Sequence, residues 1–226
     1  MKKNNITDVF FDLDHTLWDF EKNSRLTFQD IFEDLKLTSI FETFMQAYVP
    51  TNFKYWKLFR NELISKEDLR YHRLKESFDL VNYKVSDELI HSIAVAYIKH
   101  LSNQTHLFAG ATELLEFLKR DYKLHIITNG FDEVQYKKLD RSGLSPYFST
   151  VTTSEDVNLK KPNPKVFMHA LEKANTLANN SVMIGDNLEA DIEGASKVGM
   201  HAIYFGNENY DGFKTNNLID IKKFFE

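Results

Sequence analysis

Hydrophobic and polar positions divide the chain into two kinds of territory. Short apolar runs occur at Val9-Phe10-Phe11, Leu124-His125-Ile126-Ile127, Ser149-Thr150-Val151-Thr152, Val182-Met183-Ile184 and Ala202-Ile203-Tyr204-Phe205. Runs of this length, bounded by polar residues, read as buried strands. From residue 110 onward they alternate with stretches at helical spacing. Leu114, Leu115 and Leu118 form one helical face, Val134, Lys138 and Leu139 a second, and Val166, Phe167, Ala170 and Leu171 a third. Asn163 ahead of Pro164 suits the start of that third helix, because asparagine caps free N–H groups and proline is tolerated in the first turn. Gly143 stands where a helix ending at Ser142 wants a left-handed residue. Strands alternating with helices predict an α/β core, a parallel sheet with helices on both faces.

Residues 18–102 follow another rule. They hold no glycine and no convincing strand. Phe28, Ile31, Phe32 and Leu35 fall at three- and four-residue spacing, and so do Phe41, Phe44, Met45 and Tyr48, then Leu89, Ile93, Ala96 and Tyr97. The pattern predicts a helical insert of four or five helices behind the first strand. The expected domains are therefore 1–17 with 103–226, and 18–102. No internal repeat or low-complexity linker interrupts either.

Composition narrows the function. The 226 residues carry 28 basic and 33 acidic side chains, a net charge of -5. That balance argues against a nucleic-acid binder working through a broad basic face, but small phosphorylated ligands need only one local positive pocket. There is no cysteine, which removes disulfides, thiolate catalysis and cysteine metal sites, and a reduced, cytoplasmic setting fits. No apolar run approaches the roughly 18 residues of a membrane span. The opening Met1-Lys2-Lys3-Asn4-Asn5 lacks the apolar segment of a secretory signal. The eight histidines show no zinc spacing.

Four short motifs carry candidate chemistry, each directly after or near a strand. Asp12 and Asp14 follow the first, with Thr16 two residues on. Two carboxylates held together repel, so they need a divalent cation or a division of labour between nucleophile and proton carrier. Standing alone, Asp-x-Asp is equally a capped loop. Thr128-Asn129-Gly130 follows the second strand, where a hydroxyl and free N–H groups make an anion site, or simply a turn. Lys161-Pro162 precedes a helix, and either Lys161 or its neighbour Lys160 could turn inward, surface lysines being the plainer reading. Gly185-Asp186-Asn187 ends a further strand, and Asp186 would complete a hard oxygen site for Mg²⁺. Asp191 lies about one turn into the next helical stretch, where an acid also offsets helix N-terminal charge.

In this order and with these residue types, the motifs resemble those of the haloacid dehalogenase superfamily of phosphatases, over essentially the whole chain. The helical insert is similar to the α-helical cap that one branch carries after strand one. The resemblance implies a Rossmann-like core and a Mg²⁺-dependent phosphomonoester hydrolase. Asp12 would attack phosphorus to form an aspartyl-phosphate, and Asp14 would protonate the leaving oxygen. Mg²⁺ would be held by Asp12, the Asp14 main-chain carbonyl and Asp186. Thr128, Asn129 and Lys161 would hold the phosphoryl oxygens, with Thr16 and Asp191 in support. Asp14 favours phosphoester chemistry, because a halide leaving group needs no proton.

The run Phe11-Asp12-Leu13-Asp14-His15-Thr16-Leu17-Trp18-Asp19-Phe20 looks like the cytosolic pyrimidine 5′-nucleotidases. So do Thr128 to Phe131, Gln135, Leu139, Ser142-Gly143-Leu144 and Tyr147-Phe148. A nucleoside monophosphate is the implied substrate. Phosphoglycolate, a sugar phosphate and a hexose phosphomutase reaction stand as alternatives, as does a regulator that merely stores an aspartyl-phosphate. Trp18, Phe20, Phe53, Tyr55 and Trp56 are aromatic candidates for stacking a base, against the plainer reading that they pack the cap. Asn23 and Arg25 are the polar ones.

Overall fold

A computed structural model describes residues 5–226, so the expectation for the opening Met1–Asn4 lies outside the described residues. The chain forms two compact units, Met1–Phe20 with Thr105–Glu226, and Glu21–Gln104.

The first unit is built on a parallel sheet. Its strands are β1 (Asp8–Phe11), β2 (Lys123–Thr128), β3 (Phe148–Thr153), β4 (Ser181–Gly185), β5 (His201–Phe205) and β6 (Lys214–Thr215). Their order is β3-β2-β1-β4-β5-β6, with every pairing parallel. All five apolar runs are strands; β6 was not anticipated. Phe11 pairs with Ile126 on one side and Ile184 on the other, which brings the carboxyl ends of β1, β2 and β4 level. The connections run one way from β1 to β3 and the other way from β4 to β6. With right-handed crossovers, that reversal puts helices on both faces and opens a crevice beside β1.

Alternation along β1 sends Phe10 to one face. There it packs with Ile127 and Met183 under Val166, Phe167, Ala170 and Leu171. Those four lie on the helix Pro164–Ala174, whose first turn is capped by Asn163 accepting from Lys165 N at 3.0 Å. Withdrawing Val166, Phe167 or Leu171 from water contributes about 1.5–3 kcal/mol each.

The second unit holds α1 (Phe20–Asp34), α2 (Phe41–Arg60), α3 (Lys66–Leu80) and α4 (Asp87–His100). Its core accounts for many of the phenylalanines. Phe28 lies 4.5 Å from both Tyr48 and Tyr97, and Phe44 lies 4.7 Å from Phe32 and Phe78. Ser65 starts α3 by accepting from Asp68 N at 3.0 Å, while Asp68 accepts from Ser65 N at 3.1 Å. One cation is buried here. Arg73 donates to Asn52 at 2.8 Å and lies against the Tyr97 ring at 5.1 Å.

Back in the first unit, α5 (Ala111–Leu118) precedes β2, and α6 (Asp132–Arg141) follows it. Gly143 takes φ 68° just past the end of α6, as the helix stop requires.

Candidate active site

β1 ends at Phe11, and the chain turns at once. Leu17 N and Trp18 N both donate to Leu13 O, at 3.0 and 2.9 Å, and His15 takes φ 62° to close the turn. The two aspartates are therefore not neighbours on one extended strand. Each carboxylate has its own cation.

Asp12 faces Lys161. The Lys161 ammonium donates to Asp12 Oδ1 at 2.7 Å, to Asp191 Oδ1 at 2.6 Å and to the Ile127 carbonyl at 2.8 Å. Lys161, not Lys160, is the buried lysine of the pair. Asn129 explains how it is held: its side chain accepts from Lys161 N at 2.8 Å and donates to Lys161 O at 3.0 Å. The Asn129 amide thus anchors the lysine loop.

Asp186 follows β4, and its Oδ1 accepts from Thr16 at 3.3 Å. Asp191 sits on a widened π-type turn, Leu188–Glu193, that leads into a short helix, Gly194–Lys197. Asn187 N donates to Asp191 Oδ2 at 3.0 Å. Gly185 makes room for it, because a Cβ there would run into the Asp191 carboxylate. Asp12, Asp186 and Asp191 each offer an oxygen within 4.8 Å of the others.

The electrostatics of this cluster are those of excess negative charge. Burial, then the charges of Asp191 and Asp14, push the Asp12 carboxyl up to about 7 against the pull of Lys161. Burial, Asp12 and Asp191 hold Asp186 well above the usual carboxylate range. Burial would lower Lys161, but Asp12 and Asp191 outweigh it and keep the ammonium charged. Two buried carboxylates and a half-buried one against one ammonium fit a hard divalent cation, which takes oxygen ligands and removes the charge imbalance.

Asp14 turns toward α6. Lys138 donates to its Oδ1 at 2.6 Å and Gln135 to its Oδ2 at 3.0 Å. Thr128 accepts from Gln135 Nε2 at 2.8 Å and from Gly130 N at 3.1 Å. Gly130 must lack a side chain, because a Cβ would strike the Gln135 amide. Gln135 and Lys138 were not among the expected site residues. They are polar positions that share the buried side of a helix with Val134 and Leu139, and that mismatch was the available signal.

The aromatic candidates have other occupations. The buried Trp18 and Phe20 rings face the Lys138 ammonium at 4.2 and 5.3 Å. Within the helical unit, Tyr55 donates to Glu76 at 2.9 Å, Trp56 lies against Phe59 at 5.7 Å and Phe53 is half exposed. Arg25 is paired with Glu42, and Asn23 is buried.

A family model described as haloacid dehalogenase-like hydrolase matches residues 9–205. The chain is 33% identical to the pyrimidine 5′-nucleotidase YjjG of Escherichia coli, over 85% of this chain and 82% of that one. It is 32% identical to the pyrimidine 5′-nucleotidase PynA of Streptococcus pneumoniae, over 87% and 82%. It is 30% identical to a glyceraldehyde 3-phosphate phosphatase of Methanothermobacter thermautotrophicus, over 88% and 85%. Among solved structures, the magnesium-bound HAD-hydrolase YfnB of Bacillus subtilis superposes with a TM-score of 0.87 at 25% identity, over 97% and 98% of the two chains.

Proposed function

The chain belongs to the haloacid dehalogenase-like hydrolases, and from that premise we propose that it is a Mg²⁺-dependent 5′-nucleotidase acting on pyrimidine or non-standard nucleoside monophosphates. The phosphatase class rests on Asp12 and Asp14 holding separate, differently paired carboxylates at the head of β1. The substrate rests on the likeness to two pyrimidine 5′-nucleotidases.

The residues divide the work. An Asp12 oxygen attacks phosphorus while the bond to the leaving alkoxide breaks, giving an aspartyl-phosphate. Asp14 delivers a proton to the departing oxygen and then takes one from the water that hydrolyses the intermediate. Phosphate leaves and Asp12 is restored. Thr128 presents an O–H and Lys161 the positive charge of its ammonium to the transferring oxygens, and Asn129 and Asp191 keep Lys161 in place. Asp12, Asp186 and the Asp14 main-chain carbonyl would hold Mg²⁺, whose charge would offset that of the carboxylates and phosphate. Residues 18–102 would act as the cap that reads the leaving group.

A phosphate-release screen at fixed Mg²⁺ tests the substrate. We expect dUMP and dTMP to give the highest kcat/KM among nucleoside monophosphates, sugar phosphates, phosphoglycolate and glyceraldehyde 3-phosphate. The likeness to a glyceraldehyde 3-phosphate phosphatase supports a triose-phosphate reading second. A higher kcat/KM for that substrate than for every pyrimidine nucleotide would establish it instead.

A further inference from the structure

One side of α6 and its C-cap Ser142 grip the loop after β1 at three points. Gln135, Lys138 and Ser142 follow one another at three- and four-residue spacing, so they share a side of the helix. Gln135 and Lys138 occupy both oxygens of Asp14, and Ser142 accepts from Trp18 Nε1 at 3.2 Å. Both Asp14 partners are nearly inaccessible, Gln135 at 1% and Lys138 at 2%. Neither serves as an ordinary solvated helix residue.

The Gln135 amide also decides what Thr128 can do. Its NH₂ group, not its oxygen, must face Asp14, because an oxygen would set acceptor against acceptor. The second hydrogen of that NH₂ goes to Thr128 Oγ1, which also accepts from Gly130 N. A hydroxyl has two lone pairs and one hydrogen. With both lone pairs engaged, Thr128 keeps only its hydrogen to offer. It is fixed as a donor, the polarity a phosphoryl oxygen requires.

We propose that Gln135 is a positioning residue that joins the two halves of the reaction, orienting Thr128 to donate to phosphate and, together with Lys138, aiming Asp14 at the leaving group. This rests on the phosphatase reading above. Gln135 touches neither reacting atom. It acts through one amide group shared between the phosphate holder and the proton carrier.

The test compares Gln135→Leu, Gln135→Glu and Lys138→Met with the parent chain in Mg²⁺. Two quantities are measured. One is the inhibition constant of inorganic phosphate. The other is the turnover ratio between p-nitrophenyl phosphate, whose leaving group hardly needs a proton, and the best alkyl monophosphate of the screen, dTMP first. Gln135→Leu should weaken phosphate binding about tenfold, the effect of losing a charge-assisted contact. It should also slow the alkyl substrate at least about tenfold more than p-nitrophenyl phosphate, part of the range of general acid help. Gln135→Glu keeps the shape but offers only acceptors, so it should lose both properties. Lys138→Met should shift the turnover ratio and leave phosphate binding within about twofold of the parent. Unchanged phosphate binding in both Gln135 variants, or equal slowing of the two substrates, overturns the proposal. So does loss of the native near-ultraviolet dichroism in both, which would make Gln135 a fold residue. Failure of the parent to release phosphate from any substrate would instead refute the phosphatase reading.

Discussion

The Lys161 ammonium lies 2.7 Å from the Asp12 carboxylate, and both groups are buried. Removing one partner of such a pair leaves a buried charge without compensation. Lys161→Met should therefore destabilise the metal-free chain by about 3–5 kcal/mol and abolish turnover. Lys160→Ala, at a partly exposed position, should stay within about 0.5 kcal/mol. Urea unfolding with chelator, read beside steady-state rates, checks both. A larger effect for Lys160 would reverse the assignment.

The charge on Asp12 sets a pH dependence for metal binding. Its folded pKa of about 7 lies above the usual 3.8, so the folded chain retains a proton that the unfolded chain has released. Without a divalent cation, stability should fall as pH rises from 3.8 toward 7. A cation needs the ionised carboxylate, so the increase in Tm produced by Mg²⁺ should grow across the same interval. Melting curves in EDTA and in Mg²⁺ at several pH values would show it. An increment that shrinks with rising pH would count against a cation at Asp12.

Asp14→Asn probes proton delivery. It should slow phosphoenzyme formation from a nucleotide by about 10²–10⁴-fold and slow it much less from p-nitrophenyl phosphate. Hydrolysis of the intermediate should be slow for both, because the water must still lose a proton. Rapid-quench kinetics should then show a burst of nitrophenol and trapped phosphoenzyme. Equal slowing of the first step, with no burst, would leave Asp14 with a metal-holding role alone.

Away from the site, His125 should make the fold sensitive to acid. It is buried, with Nε2 3.0 Å from Asp8 Oδ1 and Nδ1 2.8 Å from Thr150 Oγ1. Burial lowers its pKa from 6.5, against the opposing pull of Asp8. Below pH 6.5 the unfolded chain takes up a proton that the folded chain refuses, so stability present above that pH is lost as pH falls. The slope contributed is at most about 1.4 kcal/mol per pH unit. His125→Asn should flatten the dependence of Tm on pH between 7 and 5, although it starts lower. Parallel curves would exclude His125 as the cause.

The strands were legible because a buried parallel strand is apolar on both faces, as Val9-Phe10-Phe11 and Val182-Met183-Ile184 are. β6 was not, because Lys214-Thr215 is an exposed two-residue edge with nothing to bury. Asp12, Asp186 and Lys161 were legible as residue types placed near strand ends. The partners of Asp14 were not. Gln135 and Lys138 lie 121 and 124 residues from it, and no local pattern reports a contact closed by the sheet. Nor did the residue type of Asn129 report that its side-chain amide grips the Lys161 main chain, which leaves its main-chain N–H as the group to offer an anion.

Asp19 N donates to His106 O at 3.0 Å, Phe108 N donates to Leu17 O at 2.9 Å, and Trp18 bridges antiparallel to Leu107. The chain thus leaves the sheet-bearing unit and returns to it along a single two-stranded ribbon. Such a seam permits cassette exchange, in which residues 21–104 give way to a turn of a few residues that closes the ribbon as a hairpin. The shortened chain should keep a cooperative unfolding transition by circular dichroism and lose its preference among substrates. In evolutionary terms, a lineage could trade one insert for another while the phosphate chemistry of the sheet-bearing unit stays in use.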